Sequence, residues 1–403
     1  MREKRKTKKW IKWRHKLVRN LAWVAFWPSI KFKYRAKIDK FADSKNRQYF
    51  VLYNHQTAFD QFFVGITFSR PVYYVASEDL FSNGWISRLL KFVVAPIPIK
   101  KQTNDVKAVM TCMRVAKEGG TIAIAPEGNR TYSGRTGYFK PSIVKLAKAL
   151  KMPIAILRIE DGYGVQPRWA DSVRKGGMRV YVKSTIEADE FLKMTDGELY
   201  QRLKDELYVD ESSPNKEFHH KNLANYIERA MYYCPDCGFS VFESRKDIIT
   251  CKKCNKSVRY LPNKQLKGEG FDFKYQNIAK WYDGQCGFIN SQSLDGFTKT
   301  PLYVDKTRFS EVVLYKNKRL IDKKAEIKLF GDRIEVSGKK PFVFDFDRTG
   351  SVTVLGRNKI NIYFDQRVYQ IKGDKRMNAL KYVNVYHRYK NVHGGENDEF
   401  LGL

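Results

Sequence analysis

Several features are scarce in this 403-residue chain, and each scarcity excludes a class of protein. No run of eighteen apolar residues occurs, so we expect no transmembrane helix. The first apolar run, residues 21–27, is short and lacks a small-residue cleavage site, so we expect no secretory signal. Only six cysteines are present, and four of them form two CxxC pairs. This usage indicates a metal site in a reducing compartment, and it excludes a disulfide framework.

Acidic residues are also scarce relative to basic ones. The chain has 43 Asp plus Glu against 75 Lys plus Arg, a formal net charge of +32. A chain of this charge is expected to bind anionic partners, such as nucleic acid, anionic lipid headgroups or phosphorylated substrates. The length predicts two or three domains.

Residues 1–40 carry fifteen Lys or Arg against two acidic residues. Apolar residues lie among them on one predicted helical face, and Pro28 is expected to end the helix; the face comprises Trp10, Trp13, Leu17, Leu21 and Val24. A basic, tryptophan-containing amphipathic helix is typical of the membrane interface, and each basic residue near an anionic leaflet adds about 1 kcal/mol. We therefore predict a peripheral protein on the cytoplasmic face of an anionic membrane. A basic arm that binds nucleic acid, or nothing, is the alternative, which the tryptophans disfavour.

Residues 41–210 alternate between strand and helix patterns, and we interpret them as one domain. The pattern predicts an α/β fold with a mainly parallel sheet flanked by helices. The clearest predicted helix covers residues 105–117 and ends at a Gly-Gly pair. The predicted strands cover residues 49–54, 72–76, 92–99, 121–126, 153–159 and 178–183.

His55 and Asp60 follow the first of these strands. Residues five apart do not share a helical face, so we predict His55 on a loop and Asp60 in the first turn of the next helix. A histidine with a carboxylate partner is a general-base arrangement. By itself the pair is more typical of a polar helix start, with Asp60 as a helix-starting residue, than of a general base.

A second polar loop, residues 126–131, follows the predicted strand 121–126 and contains Glu127, Gly128 and Arg130. The carboxyl ends of parallel strands share one sheet edge, so this loop is expected near His55. Arg130 is suited to binding a phosphate bidentately, and Glu127 to accepting a hydrogen bond. A charged surface turn is the alternative for this loop alone.

Together the two loops resemble the PlsC-type glycerolipid acyltransferases, which include the 1-acylglycerol-3-phosphate acyltransferases. The resemblance covers roughly residues 45–210. It lies in an N-H-x-x-x-x-D motif followed by a P-E-G-x-R motif, here His55 and Asp60, then Glu127, Gly128 and Arg130. Ala125 and Asn129 replace the usual Phe and Thr of the second motif. Lys101 takes the place of an arginine that helps bind the acceptor phosphate in the family.

This resemblance implies acyl transfer from acyl-CoA or acyl carrier protein to the free hydroxyl of a lysophospholipid acceptor. The most similar family activity converts 1-acylglycerol-3-phosphate into phosphatidic acid, and another lysolipid acceptor is the alternative. It further implies His55 as the general base, Asp60 as its partner, and Glu127, Gly128, Arg130 and Lys101 as acceptor-binding residues.

Residues 231–262 form a separate predicted module. Cys234, Cys237, Cys251 and Cys254 form two CxxC pairs separated by thirteen residues. Four thiolates at this spacing predict a closed, structural zinc site in a zinc ribbon, with a hairpin around residues 244–247. A redox dithiol pair does not need two linked CxxC pairs.

The remaining chain is divided into a linking helix at 211–230, a connecting segment at 263–300 and a β-rich domain at 301–403. The last part shows seven short predicted strands, starting at residues 311–315, and a helix at 377–389. The pattern loosely resembles a pleckstrin-homology-like barrel with a closing helix, a fold that binds lipids or proteins.

A basic chain with a zinc ribbon and many aromatic residues is also typical of a nucleic-acid-binding protein. The concentration of charge in residues 1–40 and the acyltransferase motifs argue against nucleic acid as the partner.

Overall fold

The structure is a computed structural model that describes residues 9–99, 105–313, 316–394 and 400–402. Its first part contains a seven-stranded sheet, in the order β1-β7-β6-β2-β5-β3-β4. Among the described strands of this sheet, only β6 and β7 pair antiparallel. The strands are β1 Ala36–Ile38, β2 Phe50–Tyr53, β3 Val72–Ser77, β4 Ile97–Ile99, β5 Thr121–Ile124, β6 Ile154–Glu160 and β7 Met178–Ile186.

Helices cover both faces of this sheet, so the predicted mainly parallel α/β fold is confirmed. Every residue of β2 is buried, as expected for a central strand whose two faces both pack on helices. Phe50 and Leu52 face one apolar core, and Val51 and Tyr53 face the other. The helices are α1 Trp13–Pro28, α2 Asp60–Thr67, α3 Gly84–Val93, α4 Val106–Lys117, α5 Ser142–Leu150, α6 Gly162–Val165, α7 Ala188–Phe191 and α8 Asp196–Leu207.

Two local predictions in this part were wrong. The strand predicted at 92–99 is the end of α3 followed by the short β4, because an apolar run does not by itself distinguish helix from strand. Pro28 does not end the N-terminal helical segment, since a π-helical turn continues through Ser29–Lys33.

The linking helix predicted at 211–230 was also wrong. This segment is irregular apart from one 3-10 turn, Ile227–Arg229. Its backbone bonds to other segments instead of to itself: Phe218 N donates to Pro262 O at 2.9 Å, and His219 N donates to Lys175 O at 2.8 Å. With the Phe218 side chain fully buried, tertiary contacts replace the helical hydrogen bonds.

A ribbon of short strands follows. The predicted hairpin is present, with Arg245 opposite Ile248, and the four-stranded sheet β10-β11-β12-β13 extends beyond residue 262. The strands are β8 Tyr233–Cys234, β9 Gly238–Phe239, β10 Phe242–Arg245, β11 Ile248–Cys251, β12 Ser257–Tyr260 and β13 Leu266–Gly268.

The C-terminal part is a nearly closed antiparallel sheet in the order β17-β16-β15-β14-β20-β19-β18, preceded by α9 Ile278–Ser291. Helix α10, Leu380–Val392, packs on it, and Tyr386 donates to Thr349 O at 2.8 Å. The predicted barrel with a closing helix is confirmed, but its first strand starts at Tyr303 and ends where the prediction began. The strands are β14 Tyr303–Glu311, β15 Arg319–Leu329, β16 Arg333–Ser337, β17 Phe342–Asp345, β18 Thr349–Leu355, β19 Lys359–Phe364 and β20 Arg367–Gly373.

The sequence predicted no transmembrane helix, and the helices within residues 9–99, 105–313, 316–394 and 400–402 can be compared with that prediction. None of them combines the length and the apolar character needed to cross a bilayer.

Candidate active site

Asn54 fixes the point at which the chain leaves β2. Its side chain is buried, and its amide nitrogen donates to Ile159 O at 2.8 Å. In return Ile159 N donates to Asn54 Oδ1 at 2.8 Å. This two-way pairing ties the end of β2 to β6, so the residue that follows, His55, starts from a fixed position.

His55 lies on the loop after β2, and Asp60 is the first residue of α2. The structure brings them together: His55 Nδ1 is 2.7 Å from Asp60 Oδ2. The Asp60 side chain is fully buried, whereas the His55 side chain is 24% exposed. The imidazole is therefore held at Nδ1 by a buried carboxylate, while part of the ring remains accessible to solvent.

The Asp60 carboxylate accepts further hydrogen bonds from the loop that it closes. Gln56 N donates at 2.7 Å, Thr57 N at 2.9 Å and the Thr57 hydroxyl at 2.6 Å. Bonds of this kind stabilise the charged carboxylate, even without solvent. A carboxylate beside Nδ1 places the imidazole proton on Nδ1, so the lone pair of the neutral ring is on Nε2.

Glu127 joins the second loop to the first. Its Oε1 accepts from His55 N at 2.9 Å, and its Oε2 accepts from Gly137 N at 2.7 Å. Thr131 N donates to His55 O at 3.1 Å, so the backbone of His55 is held on both sides. Burial raises the pKa of Glu127 to about 8, against the two N–H donors, which lower it; the charge of Asp60 raises it further.

Gly128 allows the second loop to turn at this point. It has φ +67°, a conformation that favours glycine, and its N–H donates to Ala125 O at 3.0 Å. Asn129, which replaces the usual Thr, accepts a hydrogen bond from Arg168 Nη2 at 3.2 Å. The two departures from the family motif therefore lie in the turn and leave Glu127 and Arg130 in place.

Arg130 lies close to this network without lining the main cavity. Its Nη1 is buried and has no hydrogen-bond partner among the described residues. Burial lowers the pKa of Arg130 to about 10, the charges of Arg168 and Arg357 add to this, and Asp60 opposes it. Arg130 borders a second cavity of about 260 Å³ that shares Glu127 with the main one. Lys101 lies outside the described residues.

A cavity of about 1060 Å³ begins at His55, Glu127 and Gly128. Its other walls are mostly apolar and come from helices on both sides of the sheet edge. These walls include Trp23 and Phe26 of α1, Phe62 and Ile66 of α2, Val109 of α4 and Leu146 of α5. A large, mostly apolar cavity that also has polar lining residues is suited to a hydrocarbon chain that carries a polar group.

The cavity opens on an apolar part of the surface. Leu80, Val94, Val106 and Val109 line it and are also 37%, 37%, 67% and 37% exposed. An apolar ligand would thus enter between exposed apolar side chains.

Two residues that support the site, Gln166 and Thr57, were not identified by the sequence analysis. Gln166, far along the chain, accepts from Ala58 N at 3.1 Å and from the Tyr34 hydroxyl at 3.2 Å, and so supports the His55–Asp60 loop. Thr57 lies three residues before Asp60, a spacing at which side-chain and backbone hydrogen bonds are common; this signal was available and was missed.

The four cysteines of the ribbon lie together. Their Sγ atoms are all within 4.8 Å of one another, with Cys234–Cys254 at 3.9 Å and Cys237–Cys251 at 4.0 Å. A tetrahedral zinc ion with Zn–S bonds of about 2.3 Å would separate the sulfurs by about 3.8 Å. The cluster therefore fits a metal ion of this kind.

The comparisons with known proteins address the α/β part of the chain. A sequence model of the family described as "Acyltransferase" matches residues 31–160. We call these residues the acyltransferase region, because they match the model of that family. The acyltransferase region contains His55, Asp60, Glu127, Gly128 and Arg130, and the PlsC-type resemblance is confirmed at this level.

Two relatives are similar to the acyltransferase region. A 1-acyl-sn-glycerol-3-phosphate acyltransferase of Bacillus subtilis is 25% identical over 142 residues, 33% of this chain and 68% of that protein. A chloroplastic 1-acyl-sn-glycerol-3-phosphate acyltransferase of Brassica napus is 22% identical over 137 residues, 33% of this chain and 39% of that protein. A crystal structure of PlsC from Thermotoga maritima aligns with a TM-score of 0.39 and 18% identity, over 48% of this chain and 76% of that one.

Proposed function

We propose that the protein transfers an acyl group from acyl-CoA or acyl carrier protein to the free hydroxyl of a lysophospholipid. The preferred acceptor is 1-acylglycerol-3-phosphate, and the product is phosphatidic acid. One observation carries the proposal: His55, paired with Asp60 at 2.7 Å, lines a large and mostly apolar cavity in the acyltransferase region. Both relatives are 1-acyl-sn-glycerol-3-phosphate acyltransferases, which supports the choice of acceptor.

His55 is the general base in this proposal. Its Nε2 removes the proton of the acceptor hydroxyl, and the alkoxide oxygen attacks the thioester carbonyl. The C–S bond then breaks, and the proton passes from the imidazolium to the departing thiolate. Asp60 holds the imidazole and stabilises its charged form.

The other predicted residues position the substrates. The apolar cavity binds an acyl chain, Glu127 shapes the glycerol end, and Gly128 allows the backbone to turn beside it. Arg130 binds the acceptor phosphate, and the family resemblance adds Lys101 to this role. Cys234, Cys237, Cys251 and Cys254 hold a structural zinc ion.

The protein works at an anionic membrane surface in this proposal, on its cytoplasmic face. Exposed apolar side chains surround the mouth of the cavity, and Trp13, Trp85 and Phe92 are 82%, 70% and 58% exposed. Exposed large apolar side chains next to basic residues are typical of an interfacial site. A lysolipid would then move from the membrane into the cavity without crossing water.

A transfer assay tests the proposal. Purified protein is mixed with labelled acyl-CoA or acyl carrier protein and a panel of lysophospholipids, and we expect transfer, fastest with 1-acylglycerol-3-phosphate. The H55A variant is expected to lose about 10²–10⁴-fold in kcat. The matched control is H393A, an exposed histidine at the end of α10, which is expected to keep wild-type activity. Transfer to none of the lysolipids with either donor would refute the proposed function, and near-normal H55A activity would refute the role of His55.

A further inference from the structure

The C-terminal sheet contributes one arginine to the neighbourhood of the candidate active site. Arg357 lies in the turn between β18 and β19, next to Gly356. Arg168 lies between this turn and the second loop of the acyltransferase region: its Nε donates to Gly356 O at 3.3 Å, and its Nη1 donates to Arg130 O at 2.9 Å. Three arginines from distant parts of the chain thus meet beside one loop.

The carboxylates near these arginines do not balance their charge. Arg357 Nη1 lies 3.1 Å from Asp171, but the same carboxylate oxygen also pairs with Arg229 at 2.7 Å. Asp60 already pairs with His55. The cluster of Arg130, Arg168 and Arg357 therefore keeps an excess of positive charge.

Two nitrogen atoms of the cluster are buried without a hydrogen-bond partner among the described residues. They are Nη1 of Arg130 and Nε of Arg357. A buried donor without an acceptor costs about 1–3 kcal/mol, and more when it is charged. An anion that accepts from both arginines would remove this cost and balance the charge.

The cluster also borders the loop that carries His55. Tyr34 donates to Gln166 Oε1, which also accepts from Ala58 N between His55 and Asp60. Burial and the charge of Asp60 raise the pKa of Tyr34 to about 12, and the charges of Arg130 and Arg357 act in the opposite direction. Tyr34 therefore lies within electrostatic range of Arg130, Arg357 and the Asp60 carboxylate.

We propose that Arg357 is a substrate-binding residue, which joins Arg130 and Arg168 in binding the phosphate of the acceptor. The inference rests on the proposed function and extends it, because the C-terminal sheet then completes the acceptor site. Arginine presents a planar fork of donors that matches the oxygens of a phosphate. A phosphate monoester carries two negative charges and three terminal oxygens, so the cluster selects it over neutral acceptors.

A purely structural role for Arg357 makes a different prediction. Its ion pair with Asp171 joins the C-terminal sheet to the acyltransferase region. If this were its whole role, substitution of Arg357 would lower the stability of the protein and weaken the binding of all ligands equally. If Arg357 binds the phosphate, its substitution weakens the binding of only those ligands that carry a phosphate.

The experiment compares the full-length wild type with R357Q, R357K and the control R367Q, an exposed arginine on β20 of the same sheet. Dissociation constants are measured without acyl donor for 1-acylglycerol-3-phosphate, for monoacylglycerol and for inorganic phosphate. KM for the lysolipid is measured in the transfer assay. We expect R357Q to raise Kd and KM for 1-acylglycerol-3-phosphate roughly 10- to 100-fold, with R357K intermediate. Monoacylglycerol binding and the R367Q protein are expected to stay within about threefold of wild type.

Each other outcome overturns the inference. An unchanged Kd in R357Q removes Arg357 from the phosphate site, and an equal loss for monoacylglycerol assigns it a structural role. If inorganic phosphate binds wild type as tightly as the lysolipid does, the cluster is a site for free phosphate. A wild type without transfer activity refutes the proposed function, but the Kd comparison still tests the cluster, so the two failures are distinguishable.

Discussion

Asp60 shows how one buried carboxylate sets the properties of a neighbouring histidine. It bonds to His55, to two backbone N–H groups and to the Thr57 hydroxyl, all within residues 55–60. The same contacts orient the imidazole, and in the proposed mechanism they would stabilise the imidazolium that forms when His55 takes a proton. In the proposed mechanism, Asp60 therefore stabilises the transition state more than it contributes to substrate binding.

The D60N variant tests this role. The amide side chain would keep the shape of the carboxylate, but its NH₂ group cannot accept a hydrogen bond and carries no charge. We expect kcat to fall about 10²–10⁴-fold while KM for the acceptor changes little, measured in the transfer assay.

The matched control is D196N, at the first position of α8, where the carboxylate is 59% exposed. It should keep wild-type kcat. A D60N protein with wild-type kcat would show that His55 does not need its partner.

Helix α1 has two apolar sides with different surroundings. Ala22, Trp23 and Phe26 line the cavity, whereas Leu17 and Leu21 point outward and are 50% and 61% exposed. These two side chains leave much of their apolar surface in contact with solvent in the folded chain. A membrane interface would cover them, since insertion buries apolar area at about 25 cal/mol per Å².

The triple variant L17S/L21S/V24S tests this side of α1. We expect its binding to vesicles of anionic lipid to weaken at least about tenfold, measured by sedimentation, with the melting temperature unchanged. The physical reason is the loss of three side chains that insert without packing on the protein.

The control is the variant V241S/V343S/V392S, which changes three exposed valines outside α1. This protein should bind vesicles as the wild type does. Equal binding of both triple variants would contradict a membrane role for α1.

At the scale of the whole molecule, the ribbon packs in one apolar cluster with side chains from both larger parts. One continuous apolar cluster contains Trp169 before the ribbon, Phe242 and Ile249 within it, and Phe309 of the C-terminal sheet. Cys234 and Cys251 belong to this cluster, so we expect metal binding at the four cysteines to be coupled to its packing. Because metal-binding free energy adds to folding free energy, its loss should be felt beyond the ribbon.

Zinc removal tests this coupling. We expect about one zinc per chain by elemental analysis, and a C251S variant that holds little or none. Its melting temperature should fall by at least about 5 °C. The control is C286S, because Cys286 does not belong to the group of four cysteines, and this variant should keep the wild-type zinc content. A wild-type protein without zinc would refute the zinc site.

What the sequence could predict was local. The pairing of His55 with Asp60 follows from five-residue spacing at a strand end, and the cysteine cluster follows from two CxxC pairs. The mainly parallel sheet follows from strands and helices that alternate. These features depend on near neighbours, so short segments carry their signal.

The tertiary structure alone decided how distant segments meet. Glu127 bonds to His55 across 72 residues, and Gln166 accepts from Ala58 N across 108. Arg168 joins the second loop to the C-terminal sheet, because it donates to both Arg130 O and Gly356 O. The irregular path near Phe218 follows from bonds to other segments, where local pattern predicted a helix. Long-range contacts form through packing of whole elements, and a single residue in the sequence carries no mark of its partner. The sequence thus determined the chemistry of His55 and Asp60, while the fold decided which charges and which apolar walls surround them.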